Sequence, residues 1–242
     1  MSRPALPRVF PGLFVFVVLL MSGAGTADVP AGERSWTVGV RLGLGQGWIG
    51  GEDYQKFMDD LDVGIDFFPA YIAGIVAERG VHPNLAVQFG FGHAARGGEA
   101  TLVSLGGSDI DATHEIGSLE ISALLKPRIP LGRWMLYGLA GPQVVYLQGD
   151  LEETIKTGPG GIFETEGSTE RSSYEVDNQW IPALALGVGT EIWTANGEGV
   201  FFLDLVYSRT FVSFSDDRDW FFNYAAAVIG YRATLGQLTR LF

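Results

Sequence analysis

Long stretches in which apolar and polar residues alternate are the feature that most limits what this chain can fold into. In residues 35–46 the apolar side chains fall at every second position, with small or polar ones between them. The apolar set is Trp36, Val38, Val40, Leu42 and Leu44, and the intervening set is Thr37, Gly39, Arg41, Gly43 and Gly45. Successive side chains of a strand point to opposite faces, whereas a helix repeats its apolar positions about every 3.6 residues. The segment therefore predicts a strand with one fully apolar face.

Seven further segments alternate in a similar way, and two of them, 67–78 and 134–148, do so less regularly. The other five are 85–96, 118–126, 182–192, 201–208 and 224–235. Most exceed the 5 or 6 residues that are roughly usual for a globular strand, and they match the roughly 9 to 11 residues that a tilted strand needs to cross a bilayer. The lengths favour a membrane barrel over a soluble sandwich. Pro142 predicts a bulge or an interrupted ladder in its strand.

The connections between these segments are alternately short and long. The short ones are 80–84, 130–133 and 195–199, and the longer ones are 48–66, 97–112, 150–177 and 215–220. Outer-membrane barrels have this asymmetry, with short periplasmic turns and longer outer loops. The pattern predicts that both ends of the barrel lie in the periplasm and that the long acidic connections face the outside of the cell.

The first 27 residues have the pattern of a secretory signal peptide. Arg3 and Arg8 form a basic start, an apolar run follows over 9–21, and small residues occupy 22–27. This order of basic, apolar and small residues is typical of a cleaved export signal. We expect cleavage after Ala27 or Ala24, so that 1–27 are the signal peptide and 28–242 are one outer-membrane barrel domain. A retained N-terminal anchor is the alternative.

The composition limits the possible functions. The formal net charge is −12, which disfavours binding to the phosphates of nucleic acid. The chain has no cysteine, which excludes thiol catalysis and cysteine-ligated metals. Mean hydropathy is positive at +0.19, yet no later segment is apolar for the roughly 18 residues of a membrane-spanning helix.

These features together predict an all-β fold, an antiparallel up-and-down transmembrane β-barrel of about eight strands in the cell outer membrane. The polar faces of its strands then point into a narrow interior that side chains fill. We expect six charges there: Arg41, Glu120, Lys126, Glu191, Asp204 and Arg232. Buried charges persist when they are paired, so we expect a salt-bridged interior. The alternative is that some of the six lie at the wet ends of the barrel. Arg209 breaks the pattern, because it falls on the lipid face. If it lies near the outer rim its side chain can extend to the interface, and otherwise a bulge lies nearby.

Four segments, taken in order, resemble an outer-membrane barrel family that includes PorT-like proteins. They are the strand 118–128 (SLEISALLKPR), the strand 134–143 (WMLYGLAGPQ), 186–191 (LGVGTE) and 203–209 (LDLVYSR). Ser122 stands where the family has a proline, and Val206 stands where it has an arginine. The resemblance implies an integral outer-membrane barrel of about eight strands, and it implies no shared catalytic residues.

One group of residues suggests a catalytic alternative. His114, Ser118 and Glu120 share one strand face and supply the residue types of a lipid hydrolase, in which a base activates a nucleophile. Same-face neighbours along a strand are about 6.5 to 7 Å apart, which is too far for direct contact between His114 and Ser118. We therefore expect no catalytic residues, no cofactor and no metal site. The acidic connections lack the spacing of a calcium loop, so solvated charge is the preferred interpretation.

The sequence thus predicts a non-enzymatic outer-membrane barrel with a structural or surface-interaction role. Its expected partners are outer-membrane lipid and, during biogenesis, the outer-membrane assembly machinery; we expect a monomer that binds no nucleic acid. A narrow porin-like channel for small solutes, an outer-membrane lipid-modifying hydrolase and a soluble periplasmic β protein are the alternatives.

Overall fold

The computed structural model describes residues 36–54, 56, 64–66, 68–103, 109–157, 168–194, 199–214 and 219–234. The predicted signal peptide, 1–27, lies outside the described residues and stays a prediction. Within the described part of the chain, no helix has the length and apolar character that would let it span a membrane. A short helical turn at 52–54 follows the first strand.

Ten strands make up the described chain, and eight of them form the barrel wall. The eight are β1 (Trp36–Gly50), β3 (Phe68–His82), β4 (Leu85–Val103), β5 (Asp109–Leu131), β6 (Trp134–Thr157), β8 (Trp180–Trp193), β9 (Gly199–Thr210) and β10 (Phe221–Thr234). Two shorter strands, β2 (Gly64–Asp66) and β7 (Ser168–Tyr174), are added at the outer end. They pair with β4 and β6 respectively.

The eight wall strands close on themselves, which confirms the predicted fold class. Each pairs antiparallel with its neighbours in the wall, and β4 pairs with β5 as well as with β3. The first and last strands complete the ring, in a ladder that runs from Thr37 opposite Thr234 to Gly50 opposite Phe221. Closure leaves the wall without an unpaired edge, which is what a sheet in hydrocarbon requires.

The apolar rows point outward, as the alternation predicts. On β1, Leu42 is 61% exposed and Leu44 is 76% exposed. Arg41, which lies between Val40 and Leu42, is only 6% exposed. The inward glycines of this strand give room to side chains from adjacent strands. A Cβ at Gly43 would lie 2.7 Å from Ile72 Cγ2 and 2.8 Å from Val228 Cγ2. The small residues on this face of β1 therefore fit a crowded barrel interior.

Aromatic side chains form two belts on the outside of the wall. At the periplasmic end the ring centres of Trp36 and Phe89 are 5.9 Å apart, and those of Phe201 and Tyr231 are 4.8 Å apart. At the outer end the ring centres of Trp48 and Tyr207 are 6.0 Å apart, and those of Tyr146 and Trp180 are 4.7 Å apart. Trp36 and Trp48 are twelve residues apart on β1. At roughly 3.3 Å per residue and a tilt of roughly 45° this separation spans about 28 Å of height. The belts thus enclose a band as thick as a hydrocarbon core of about 30 Å.

The long connections are more ordered than the sequence predicts. Strands β4, β5 and β6 have 19, 23 and 24 residues and continue into the segments 97–112 and 150–177, which we expected to be loops. With β2 and β7 they form an acidic sheet beyond the outer aromatic belt, which we call the outer sheet. The sequence favours loops there because these segments are rich in glycine, serine, threonine and acidic residues. The residues of the connections at 57–63, 104–108, 158–167 and 215–218 lie outside the described part.

The interrupted ladder expected at Pro142 is present on β6 without a bulge, because the β5–β6 pairing skips Gly141 and Pro142. The β5–β6 pairing keeps one register on both sides of Pro142, with Ser122 opposite Gln143 and Leu125 opposite Ala140. The register shifts between Glu115 and Gly117, opposite the stretch of β6 that contains Gly149. Gly149 has φ +82°, a conformation that favours glycine. The strand pair therefore changes register where it leaves the outer belt and enters the outer sheet.

Candidate functional site

The structure places all six of the predicted interior charges on the inner face of the wall. Arg41 is 6% exposed, and the other five (Glu120, Lys126, Glu191, Asp204 and Arg232) are 2% exposed or less. Their inward direction follows from the alternation of side chains along a strand, because each of these charges lies between residues of an exposed apolar row. Three further charges are buried with them that the sequence analysis did not select: Glu78, Arg96 and Arg128.

Four of the buried charges form one network in the periplasmic half of the barrel. The Lys126 ammonium lies 2.8 Å from Glu78 Oε2 and 2.7 Å from Glu191 Oε2. The Arg232 guanidinium forms ion pairs with the same two carboxylates. We call Glu78, Lys126, Glu191 and Arg232 the periplasmic network. Strands β3, β5, β8 and β10 contribute one residue each, so the network ties together four strands that are not all neighbours.

Three side chains extend the periplasmic network. The Tyr137 hydroxyl donates a hydrogen bond to Asp204 Oδ1, and the Lys126 ammonium lies 3.7 Å from the centre of the Tyr137 ring. Arg128 lies 3.8 Å from Glu78 Oε1 and donates to the carbonyl oxygen of His82 at 3.2 Å. A small cavity beside Thr37, Glu78 and Arg128 holds about 10 Å³, which is close to the space of one water.

A second network lies in the outer half and is centred on Glu120. Its carboxylate accepts hydrogen bonds from Arg96 Nη2 at 2.5 Å, from Gln143 Nε2 at 2.5 Å and from the Tyr224 hydroxyl at 3.1 Å. Ser208 donates to the Gln143 carbonyl oxygen at 2.7 Å, and the Arg96 guanidinium lies 4.7 Å from the centre of the Tyr224 ring. We call Arg96, Glu120, Gln143, Ser208 and Tyr224 the outer network.

Arg41 is buried at a level between the two networks but is joined to neither by an ion pair in the described residues. Its guanidinium lies beside Gly90 and Ser122, since a Cβ at Gly90 would be 2.9 Å from Arg41 Nη2 and 2.5 Å from Ser122 Oγ. The structure therefore brings Lys126, Glu191, Asp204 and Arg232 together and keeps Glu120 and Arg41 apart from them.

An apolar cluster fills the outer end of the interior, and we call it the outer plug. It consists of Ile49, Tyr54, Ile116, Val145, Leu147, Leu151, Val176, Ile181, Ala183, Phe214, Trp220 and Phe222. The Trp220 ring meets Tyr54 edge-on at 5.5 Å between ring centres. Burial raises the pKa of the Tyr54 hydroxyl to about 12. The outer plug and the two networks occupy the barrel from mouth to base.

The three residues of the hydrolase alternative have separate partners. His114 Nε2 lies 3.0 Å from Glu153 Oε1 on β6, the Ser118 hydroxyl donates to the Ala94 carbonyl oxygen at 3.1 Å, and Glu120 belongs to the outer network. Ser118 therefore directs its hydroxyl to the backbone rather than to a histidine. Among the described residues, no group of three or more histidine or acidic side chains is placed to hold a metal ion.

Glu153 is the carboxylate that His114 meets, and it lies in the outer sheet. Burial acts to raise the pKa of Glu153, but hydrogen bonds from Ser172 and Tyr174 and the His114 charge outweigh it, so the pKa stays below its usual value. Both hydroxyls lie 2.8 Å from Glu153 Oε2. The ionised Glu153 thus fastens β7 to β6 across the outer sheet.

The distribution of polarity decides the class of protein. Ion pairs and hydrogen-bonded polar groups occupy the inside of a closed barrel, while leucine, valine, isoleucine and phenylalanine cover the outside between two aromatic belts. This is the reverse of a water-soluble protein and is the arrangement of a barrel in lipid. The chain is an integral outer-membrane β-barrel.

Comparisons with known proteins find similar structures but no similar family. No protein-family model matches the chain, and no curated protein matches it either. The solved structures that are similar include Ail, the attachment invasion locus protein of Yersinia pestis, at 15% identity over 82% of this chain and 99% of that one, with a TM-score of 0.40. OprG from Pseudomonas aeruginosa has 11% identity over 83% and 95%, with a TM-score of 0.48. The outer membrane protease OmpT from Escherichia coli has 10% identity over 87% and 99%, with a TM-score of 0.46. At these values the likenesses assign no activity to this chain.

Removing one carboxylate of the periplasmic network should destabilise the barrel strongly. Glu191→Gln keeps the shape of the side chain but leaves Lys126 and Arg232 with one acceptor charge fewer in a buried site. We expect the free energy of unfolding in lipid vesicles to fall by roughly 3 to 5 kcal/mol. Urea titration followed by tryptophan fluorescence and by the mobility of unboiled protein on a gel measures it.

The control for this variant is Glu52→Gln. The Glu52 side chain is 75% exposed and lies 4.0 Å from Lys56. Neutralising an exposed pair of this kind should change stability by less than about 1 kcal/mol. Equal effects of the two substitutions would show that the buried ion pairs do not hold the barrel together.

Proposed function

We propose that this protein is a non-enzymatic barrel with a surface-interaction role, in which the membrane wall supports an acidic outer sheet that contacts partners outside the cell. The observation that carries the proposal is the continuation of β4, β5 and β6 beyond the outer aromatic belt. A barrel that only spanned the membrane would have no need of strands this long, since about 9 to 11 residues suffice for the span.

The charge of the outer sheet indicates which partners it suits. Its described side chains include many acids and few bases. The acids are Glu99, Asp111, Glu115, Asp150, Glu152, Glu153 and Glu170, and the bases are Lys156 and Arg171. A field of one sign attracts surfaces of the other sign and repels like ones. Strand β7 is exposed along its whole length, so its side chains are accessible. The sheet therefore suits basic surfaces.

The filled interior favours this role over a channel. A solute would have to pass the outer plug and then displace two hydrogen-bonded networks whose charges are nearly all below 3% exposed. A small barrel of eight strands has just enough interior for its own side chains. The separate partners of His114, Ser118 and Glu120 favour a non-enzymatic role over a lipid hydrolase in the same way.

The finer family resemblance is part of this proposal. The four segments that resemble PorT-like proteins fall in β5, β6, β8 and β9, one in each strand and in the same order. This placement supports common ancestry with that group of barrels, and it adds no catalytic residue to the proposal.

Adhesion of cells that display the protein should depend on the acids of the outer sheet. We expect such cells to be retained on a polylysine-coated surface and not on a polyglutamate-coated one, and retention should fall as salt shortens the Debye length. A variant with Glu115→Gln, Asp150→Asn, Glu152→Gln and Glu170→Gln should be retained several-fold less, while Ser168→Ala with Ser173→Ala serves as the uncharged control in the same sheet. Undiminished retention of the fourfold variant would refute the proposal.

Conductance tests the channel alternative directly. Purified barrel inserted into a planar bilayer should show no steady open level, because the outer plug and both networks block the bore. A general porin prepared in the same detergent provides the positive control. Long-lived, stepwise openings that scale with the number of inserted molecules would favour the solute channel instead.

A further inference from the structure

Arg209 is a cation on the lipid-facing side of the wall, and the role proposed above does not use it. It is the penultimate residue of β9, one position before the strand ends at Thr210 on the outer side. The strand pairs in unbroken register there, with Arg209 opposite Leu184 on β8 and opposite Asn223 on β10. The bulge that could have turned this side chain inward is therefore not present. Arg209 is exposed and points outward.

Aromatic side chains of the outer belt surround this cation. The Arg209 guanidinium lies 5.8 Å from the centre of the Phe221 ring. Beside it, the Trp48 and Tyr207 rings stack with their centres 6.0 Å apart, and the Tyr207 hydroxyl donates to Asn223 Oδ1 at 3.1 Å. We call Trp48, Tyr207, Arg209 and Phe221 the rim site. Three strands, β1, β9 and β10, hold its members in fixed positions.

The position of the rim site determines what can reach it. Below it on the same face lie Leu205 and Leu203, which are 57% and 43% exposed toward hydrocarbon. A charge in contact with hydrocarbon is costly, so a lipid-facing arginine near a strand end extends to the headgroup layer. Among the described carboxylates, none forms an ion pair with Arg209. A lipid phosphate of the outer leaflet can supply the counter-charge at this level.

We propose that the rim site binds the phosphate of a phosphorylated lipid of the outer leaflet. A guanidinium presents paired N–H donors that match two phosphate oxygens. The faces of Trp48 and Tyr207 offer apolar surface to the part of the lipid next to the phosphate, as aromatic residues of an interfacial belt do. The site is independent of the outer sheet and does not rest on its partner.

The chain offers a matched control at the opposite rim. Arg79 is also exposed, and its guanidinium also lies 5.8 Å from an aromatic ring centre, that of Trp36. Arg79 belongs to the periplasmic belt, where the Trp36 ring is tilted against Phe89 at 5.9 Å between ring centres. Both arginines carry the same charge on the same wall, so a comparison of the two separates a built site from general attraction of anionic lipid.

The experiment uses the folded, delipidated barrel in micelles of dodecyl maltoside, a detergent that carries no phosphate. Lipid A, which carries phosphates, and its dephosphorylated form are each titrated, and binding is read from the rise in the temperature at which the unboiled gel band is lost. We expect lipid A to bind the wild type and Arg79→Gln alike, to bind Arg209→Lys with reduced affinity, and to bind Arg209→Gln roughly tenfold or more weakly. Each variant is first shown to be folded by its unboiled mobility.

Three outcomes would overturn the proposal. Equal binding of lipid A by the wild type and Arg209→Gln would remove Arg209 from the site. Equal losses in Arg79→Gln and Arg209→Gln would reduce the effect to net charge. If the wild type bound lipid A and its dephosphorylated form equally, no phosphate would be recognised. If Arg209→Gln does not fold, Arg209→Lys decides in its place, since an ammonium cannot reproduce the paired contacts and undiminished affinity would contradict them.

Discussion

The hydrogen-bonded ladder between β1 and β10 is the interaction on which the rest of this structure depends. In hydrocarbon every backbone N–H and C=O needs a partner within the protein, and an unpaired group costs several kcal/mol. The ladder joins the two ends of the wall over its full height, from Thr37 and Thr234 at the periplasmic side to Gly50 and Phe221 at the outer side. Once it forms, the wall has no edge, and every strand must present one face to lipid and the other to the bore.

The charged interior follows from that closure. A bore of this width holds side chains rather than bulk water, so its ions must be paired with one another. Lys126 and Arg232 share Glu78 and Glu191, and Arg96, Gln143 and Tyr224 surround Glu120. These contacts link strands that are far apart around the wall, and they resist any movement that would open a path. The same rigidity suits a support for the outer sheet and for the rim site above the lipid boundary.

The sequence was sufficient to predict the wall but not the contacts within it. The alternation of apolar and polar residues assigned the outward leucines of β1 and the inward positions of Arg41 and Glu191, because the face to which a side chain points is set within a single strand. Partnership depends on which strands face each other across the bore. Glu78 could therefore be recognised as a member of the periplasmic network, and Arg128 as an extension of it, only from the closed structure. The strand that contains Glu78 alternates only weakly. The available signal for an inward Glu78 was that it lies an even number of positions from Val76 and Ile72 and so shares their strand face. The outer extensions of β4 to β6 were missed because their glycine, serine, threonine and acidic residues resemble those of a loop.

Accessibility of spin labels along one strand tests the closed, inverted barrel most directly. The chain has no cysteine, so single cysteines at successive positions 201–208 of β9 can be labelled in vesicles without background. Collision with oxygen, which concentrates in hydrocarbon, should be high at 201, 203 and 205 and low at 202, 204 and 206, and a water-soluble nickel reagent should reach neither set freely. Uniform oxygen accessibility along the strand, or high values at 202, 204 and 206 instead, would contradict the account.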